Sequence, residues 1–325
     1  MKPVIVTVGP LATADADGYG ASQAIAGAYS VTLNGALSSG FTANNICASQ
    51  SPGSAGDLTI DGTTAASGVA YLGNGASVTV TSAGNDSGIT FTVYGQALNE
   101  VGGRNQLAGN PSYTSETVAG ANVGVSSTRN KFLTVTRIAV SAASAAAVTV
   151  GTNGTVTADK PRQVIFTSGG NDTGITFTIY GTDWNDDYLS QAVTGASGGV
   201  ATSSMNFKTI SQIVTSGAVA TTLTVGTNGV AASRPIFLDQ YGFAPTSLQV
   251  TVSGTCNFTV MQSMDNPNDI GYANVTWVNH PDSALAAATA TAQGNYAYIP
   301  NITRIVLNSG TGTVVYTVLQ AASPT

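Results

Sequence analysis

One twelve-residue stretch occurs twice. Residues 84–95 read GNDSGITFTVYG and residues 170–181 read GNDTGITFTIYG, ten identities in twelve positions at an offset of 86. Both departures, Ser87 against Thr173 and Val93 against Ile179, preserve side-chain shape. A second pair, TVGTNG at 149–154 and at 224–229, is separated by only 75, so the first copy carries eleven extra residues, 86 minus 75. They fall between Gly95 and Gly120, around NEVGGRNQLAGNPSY, a polar run with Gly, Asn and Pro that reads as an elaborated surface loop. Self-similarity at this period predicts copies of one small unit rather than a single large core.

Inside the repeat the residues alternate. In ITFTVY, Ile89, Phe91 and Val93 face one way while Thr90, Thr92 and Tyr94 face the other, the pattern of a half-buried antiparallel strand. The preceding Gly-Asn-Asp segments, at 82–88 and 168–174, hold residues that tolerate turn conformations, so VTV, turn and ITFTVY predict a β-hairpin. Five or so strands per copy make a small sandwich. The flanks read as diverged relatives: YSVTLNG at 29–35, LTIDG at 58–62, LQVTVSGTCNFTVMQS at 248–263 and ITRIVLNSGTGTVVYTVLQ at 302–320, whose ITRI echoes TRI at 136–138. The expected fold is all-β, with tandem small antiparallel β-sandwich (Ig-like) domains at 1–75, 76–158, 159–238 and 239–325, the first being the candidate anchoring region. Lys160-Pro161-Arg162 and Ser233-Arg234-Pro235 are the expected joints, because Pro cannot continue a central strand.

Composition narrows the function. Only 8% of residues are charged, against roughly 25% in an average soluble domain, yet β-branched residues are abundant, which argues against disorder. A net charge of -6 with ten Lys plus Arg supplies no basic stripe for phosphates, so no nucleic-acid partner is expected. Cys47 and Cys256 lie far apart in sequence and read as two buried thiols. The apolar run before Gly9-Pro10 is too short for the core of an export signal and reads as a first strand. No stretch approaches the roughly 18 apolar residues of a membrane helix, so no membrane partner is expected and assembly is placed in the cytoplasm.

The chemistry-bearing residues are sparse. His280, the only histidine, sits in Trp277-Val278-Asn279-His280-Pro281, a strand running into a turn, where an imidazole bonds to backbone. Asp183-Trp184-Asn185-Asp186-Asp187 begins like a calcium loop. It then fails, because Tyr188 stands where the sharp turn needs Gly and Thr194 where a closing Glu belongs, so it reads as an acidic turn. Asp15-Ala16-Asp17-Gly18 and Asp265–Asp269 read as Asx turns. No paired carboxylates, phosphate loop, dinucleotide fingerprint or CxxC motif stands out. The expectation is a non-enzyme without catalytic residues, cofactor or metal. Candidate contact residues are aromatic pairs in loops, namely Trp184 with Tyr188, Tyr241 with Phe243 and Tyr296 with Tyr298, together with Arg104 and Tyr113 of the eleven-residue insertion. Rings that close the open ends of sandwiches or pack between domains are the competing reading of the pairs.

The block SGGNDTGITFTIYGTDWN…QAVTGASGGVATSS…FKTISQIVTSGAVATTLTVGTNG, with its copy at 82–154, resembles the repeat of tailed-phage and prophage virion proteins. Residues from RPIFLDQYGF to TVVYTVLQA are similar to a companion phage module, so the resemblance covers 76–325. It implies a virion structural role: capsid decoration or cement, a head fibre, or a tail or collar component that contacts host glycan or other virion proteins. The partners it implies are the major capsid protein or other virion proteins and further copies of the chain, for instance in a trimer. A bacterial surface adhesin is the third class considered, and it would need an export signal.

Overall fold

The computed structural model describes residues 3–10, 14–97, 100–101, 104–105, 112–239 and 245–320. Among them the molecule is all-β, with antiparallel pairing throughout and only the short helix Pro267–Ile270 and two 3-10 turns besides. The alternation seen in the repeats is realised. Phe91 and Val93 are fully buried, as are their counterparts Phe177 and Ile179, while the intervening threonines and tyrosines are part-exposed or exposed. Three apolar cores result. Module I encloses Ile46, Val80, Phe91, Phe132 and Ile138. Module II encloses Tyr19, Leu33, Phe166, Phe177 and Phe207, and module III encloses Val8, Leu248, Phe258, Ile305 and Tyr316.

The sandwiches are nested. Val4–Val8 pairs with Thr313–Gln320 in module III. Asp15–Ala24 then pairs with Thr222–Thr227 in module II, and Thr42–Gln50 with Val148–Thr152 in module I. The chain thus visits III, II and I, and returns through II to III. Where it enters and leaves module I, Ser38–Ser39 pairs with Thr155–Val156. Residues 1–75, expected as a separate N-terminal unit, instead supply strands to all three cores, and the boundary expected at 158/159 falls inside the strand Thr155–Arg162. Alternation marks a strand locally but carries no record of which sheet edge that strand will join.

The TVGTNG motif marks the place where the early strands dock. A Cβ on Gly151 would lie 1.7 Å from the Thr42 carbonyl oxygen, and one on Gly226 would lie 1.8 Å from that of Asp15. Only glycine admits such backbone approach.

The expected Gly-Asn-Asp hairpins are not hairpins. Ile165–Asn171 pairs with Ser197–Thr202 and Thr222–Thr227, whereas Thr176–Thr182 pairs with Tyr188–Thr194 and Phe207–Thr215 in another sheet. In module I, Val69–Asn85 and Thr90–Ala97 likewise take other partners. The turn therefore crosses between the layers of the sandwich. Its asparagine makes an Asx turn, with Asn85 Oδ1 accepting from the Ser87 N–H and hydroxyl, and Asn171 Oδ1 from those of Thr173. Its aspartate is buried beneath the arch and ties it to a distant loop. Asp86 Oδ1 accepts from the Ala145 N–H and Asp172 Oδ1 from the Ala220 N–H, each at 2.7 Å.

The modules are fused rather than strung together. Arg162 pairs with Ala231, and Ala231 with Leu307, so one ten-stranded sheet runs from module II into module III. Between I and II lies a buried polar seam in which the Gln212 amide donates to Ser30 Oγ at 2.7 Å, to Ser77 Oγ at 3.1 Å and to the Arg129 carbonyl. Asn153 donates to the Val31 carbonyl at 2.8 Å and accepts from the Leu33 N–H at 2.7 Å.

Candidate functional site

The loop Asp183–Asp187 joins Thr176–Thr182 to Tyr188–Thr194 and is wound on one buried carboxylate. Asp183 Oδ1 accepts from the N–H groups of Asn185 (2.8 Å) and Asp187 (3.1 Å). Burial pushes the Asp183 carboxyl above its usual range, while those two N–H groups oppose the shift. Asp186 adopts a φ of 64° and its carboxylate is held by Lys208 Nζ, 2.8 Å from both oxygens. The expected acidic turn is what these bonds build. Among the described residues no group of three or more His, Cys, Asp or Glu side chains is placed to hold a metal.

This turn presents Trp184 to module III. There Asn266 caps the short helix and Asp265 Oδ2 accepts from the Thr276 N–H at 2.7 Å, which fixes the loop carrying Tyr272 and Trp277. The rings of Trp184 and Tyr272 meet edge-on with centroids 6.5 Å apart, and those of Tyr272 and Trp277 are 6.1 Å apart. Arg304, from the strand Ile302–Gly310, lies over the Trp277 ring at 4.0 Å. Burial pushes the Tyr272 phenol up to about 12, and the nearby Arg304 charge opposes that.

Two hollows flank Tyr272. One is a cleft of about 530 Å³ lined by Asp183, Trp184, Tyr188, Phe237, Pro267 and Tyr272 among others. The other, about 290 Å³, is lined by Asn206, Met205, Met261, Tyr272, Trp277 and Arg304 among others. The indole N–H of Trp184 is buried without a hydrogen-bond partner. Aromatic faces beside carboxylate and amide groups can stack on the apolar face of a ring and hydrogen-bond its hydroxyls.

The sequence-derived contact residues separate into distinct groups. Trp184 and Tyr188 are brought together at the cleft. Tyr296 belongs to the core of module III, its hydroxyl 2.8 Å from Thr303 Oγ1, which in turn lies 2.8 Å from the Tyr316 hydroxyl. Its neighbour Tyr298 is exposed and accepts from Gln262 at 3.3 Å, so this pair divides between core and surface. Tyr113 is 73% exposed on the strand Ser112–Ala119, in another module. Arg104 lies in the two-residue strand Arg104–Asn105, which pairs with Glu100–Val101, and Tyr241 and Phe243 lie outside the described residues. Sequence reasoning missed Tyr272, Trp277 and Arg304 as site members. The available signal was the ITRI echo, since Arg137 of the earlier TRI also rests on a ring, that of Tyr94, at 4.9 Å.

His280 is buried, its Nδ1 accepting from the Asp282 N–H at 3.1 Å and its Nε2 3.3 Å from the Asn295 carbonyl. Those roles define the Nε2–H tautomer and leave no free ring nitrogen for a proton transfer. Burial lowers its pKa, against the weaker pull of the backbone bonds. Cys47 and Cys256 are buried free thiols, as expected, and burial pushes the Cys47 thiol up to about 12. Among the described residues no helix is long and apolar enough to cross a membrane.

In comparisons with known proteins, the chain matches no protein-family model, no curated protein and no solved structure.

Proposed function

We propose that this chain is a non-enzymatic structural protein of a tailed-phage virion, a capsid decoration or head-fibre protein that binds the shell through module III. The observation that carries this reading is the duplicated unit, whose repeated residues are all architectural: the buried aspartate of the arch, the glycine under the docking strand and the core phenylalanines. The phage-like pattern of those same residues supports the virion assignment. Pairing of Val4–Val8 with Thr313–Gln320 puts the first and last described strands together in module III, which leaves modules I and II free to project from it. Aromatics such as Tyr113 on module I are then available to neighbours.

The test is co-sedimentation of purified protein with undecorated capsids of the matching phage, with copy number counted per particle. Saturable binding at hundreds of copies is the expected result. Failure to bind, or labelled protein found only on tails, overturns it.

The second reading is a tail or collar adsorption protein, favoured by the aromatic and acidic cleft at the seam of modules II and III. It requires about a dozen copies or fewer, together with binding of isolated protein to host envelopes that is lost in Trp184→Ala.

A further inference from the structure

The two inter-module seams are built from the same bend of chain, and each borders a hollow, about 410 Å³ beside Arg129, Asn130 and Gln212 and about 290 Å³ beside Met205 and Asn206. In module I, Thr128 Oγ1 accepts from the Val78 N–H at 2.9 Å and donates to the Asn130 carbonyl at 2.8 Å. In module II, Ser203 Oγ does the same with Val164 at 2.9 Å and Met205 at 2.8 Å. Facing module II, the first bend is bridged by Gln212, which donates to the Arg129 carbonyl. Facing module III, the second bend borders the 290 Å³ cavity, where Asn206 is buried with its Oδ1 unpartnered.

Arg304 lines the same cavity and is 7% exposed. Its counterpart Arg137 has Asp57 at 2.8 Å, and Arg162 has Asp159 at 2.7 Å. Arg304 has no carboxylate within ion-pair distance among the described residues. Its contacts are the Trp277 face, the Tyr272 hydroxyl and a 3.7 Å approach to Met261 Sδ, and its Nε is buried without a partner. A buried guanidinium without a counter-charge is unfavourable until an anion meets it, and its planar fork suits a carboxylate. The unpartnered Asn206 oxygen calls in addition for a donor. At 290 Å³ the cavity suits a ligand at the small end of the roughly 300–1,000 Å³ range of ligand pockets.

We propose that this cavity is a binding site for a sugar acid, its carboxylate on Arg304, a hydroxyl on Asn206 and its ring against Trp277. The site does not depend on the virion reading, because binding is measured on free protein and its failure leaves capsid binding untouched.

The chain has two tryptophans, so Trp184→Phe leaves Trp277 as the sole indole reporter beside the cavity. Titrating that variant with glucuronate, acetate or glucose at constant ionic strength should give saturable quenching by glucuronate, at least ten-fold weaker binding of acetate, and none of glucose. Arg304→Met should abolish the response, and Asn206→Ala should weaken glucuronate but not acetate. Should Arg304→Met fail to fold by circular dichroism, Arg304→Lys, which keeps the charge but loses the fork, is expected to bind glucuronate at least ten-fold more weakly. No saturable response to glucuronate, equal responses to glucuronate and glucose or to glucuronate and acetate, or undiminished binding in the Arg304 variants overturns the assignment.

Discussion

Modules I and II are near-copies in sequence, yet they close differently. In module I one strand, Asn122–Val140, runs through both layers, whereas module II divides the equivalent chain into Ser197–Thr202 and Phe207–Thr215. The bend itself is shared, but the side chain that reaches over it differs. Glu116 accepts from the Arg129 and Asn130 N–H groups in module I. Gln191, 75 residues on, accepts from the Met205 N–H and donates to Ser204 Oγ in module II. The cores differ by a ring, since Val80 stands where module II has Phe166, stacked on Phe177 at 4.6 Å. The repeated asparagines have also diverged. Asn153 clamps the chain entering module I, while Asn228 donates to Gln163 at 2.8 Å and accepts from the Val230 N–H. The arch asparagines and aspartates and the core pair Phe91 and Phe177 are retained in both copies, whereas one core position and the asparagines Asn153 and Asn228 have been reassigned.

The largest effect expected is in the cores. Phe91→Ala and Phe177→Ala should each destabilise by about 3–5 kcal/mol in denaturant unfolding. Phe177→Ala should exceed Phe91→Ala by about 0.5–1.5 kcal/mol, because it also removes the stack on Phe166. Equal losses would mean that the extra ring adds nothing beyond its area.

Next are the buried aspartates of the arches. Asp86→Ala and Asp172→Ala should each lose about 1.5–3 kcal/mol, the range for a hydrogen bond to a charged group, and to similar extents. A strongly unequal pair of losses would show that the two arches are not equivalent devices.

A smaller effect separates the asparagines. Asn153→Ala strands the buried Leu33 N–H and Val31 carbonyl and should cost about 1–3 kcal/mol, whereas Asn228→Ala should cost about 0.5–1.5 kcal/mol. The order would reverse if the entry to module I were not clamped there.

The smallest effect belongs to module III. The folded-state pKa of His280 lies below its ordinary 6.5, so the unfolded chain takes up a proton first as pH falls. Its contribution is fully present above about pH 6.5 and is lost below it, with a slope of at most about 1.4 kcal/mol per pH unit. His280→Gln should flatten that part of a stability-versus-pH curve.

Much of this architecture was legible in residue order, and the parts that were not share a cause. The alternation of Phe91, Val93, Phe177 and Ile179 reports burial because side chains of a strand point to opposite faces whatever the strand pairs with. The arch was read as a hairpin because Asn85 and Asn171 make the same Asx turn in either setting, and nothing local records that the next strand joins the opposite layer. Trp184 and Tyr188 were legible as loop aromatics. Tyr272, which meets Trp184 edge-on, was not, since some 90 residues of chain separate groups that only packing brings together.

Residue order by itself determined the all-β class, the duplicated unit and the inward-facing core, because each depends on side-chain type at a spacing of two. The tertiary structure alone decided that Val4–Val8 and Asp15–Ala24 close modules completed some two to three hundred residues later, and that Arg304 and Asn206 line one cavity. An edge strand offers the same row of backbone groups to any free edge, so its choice of partner is settled by which edges the folded modules leave open.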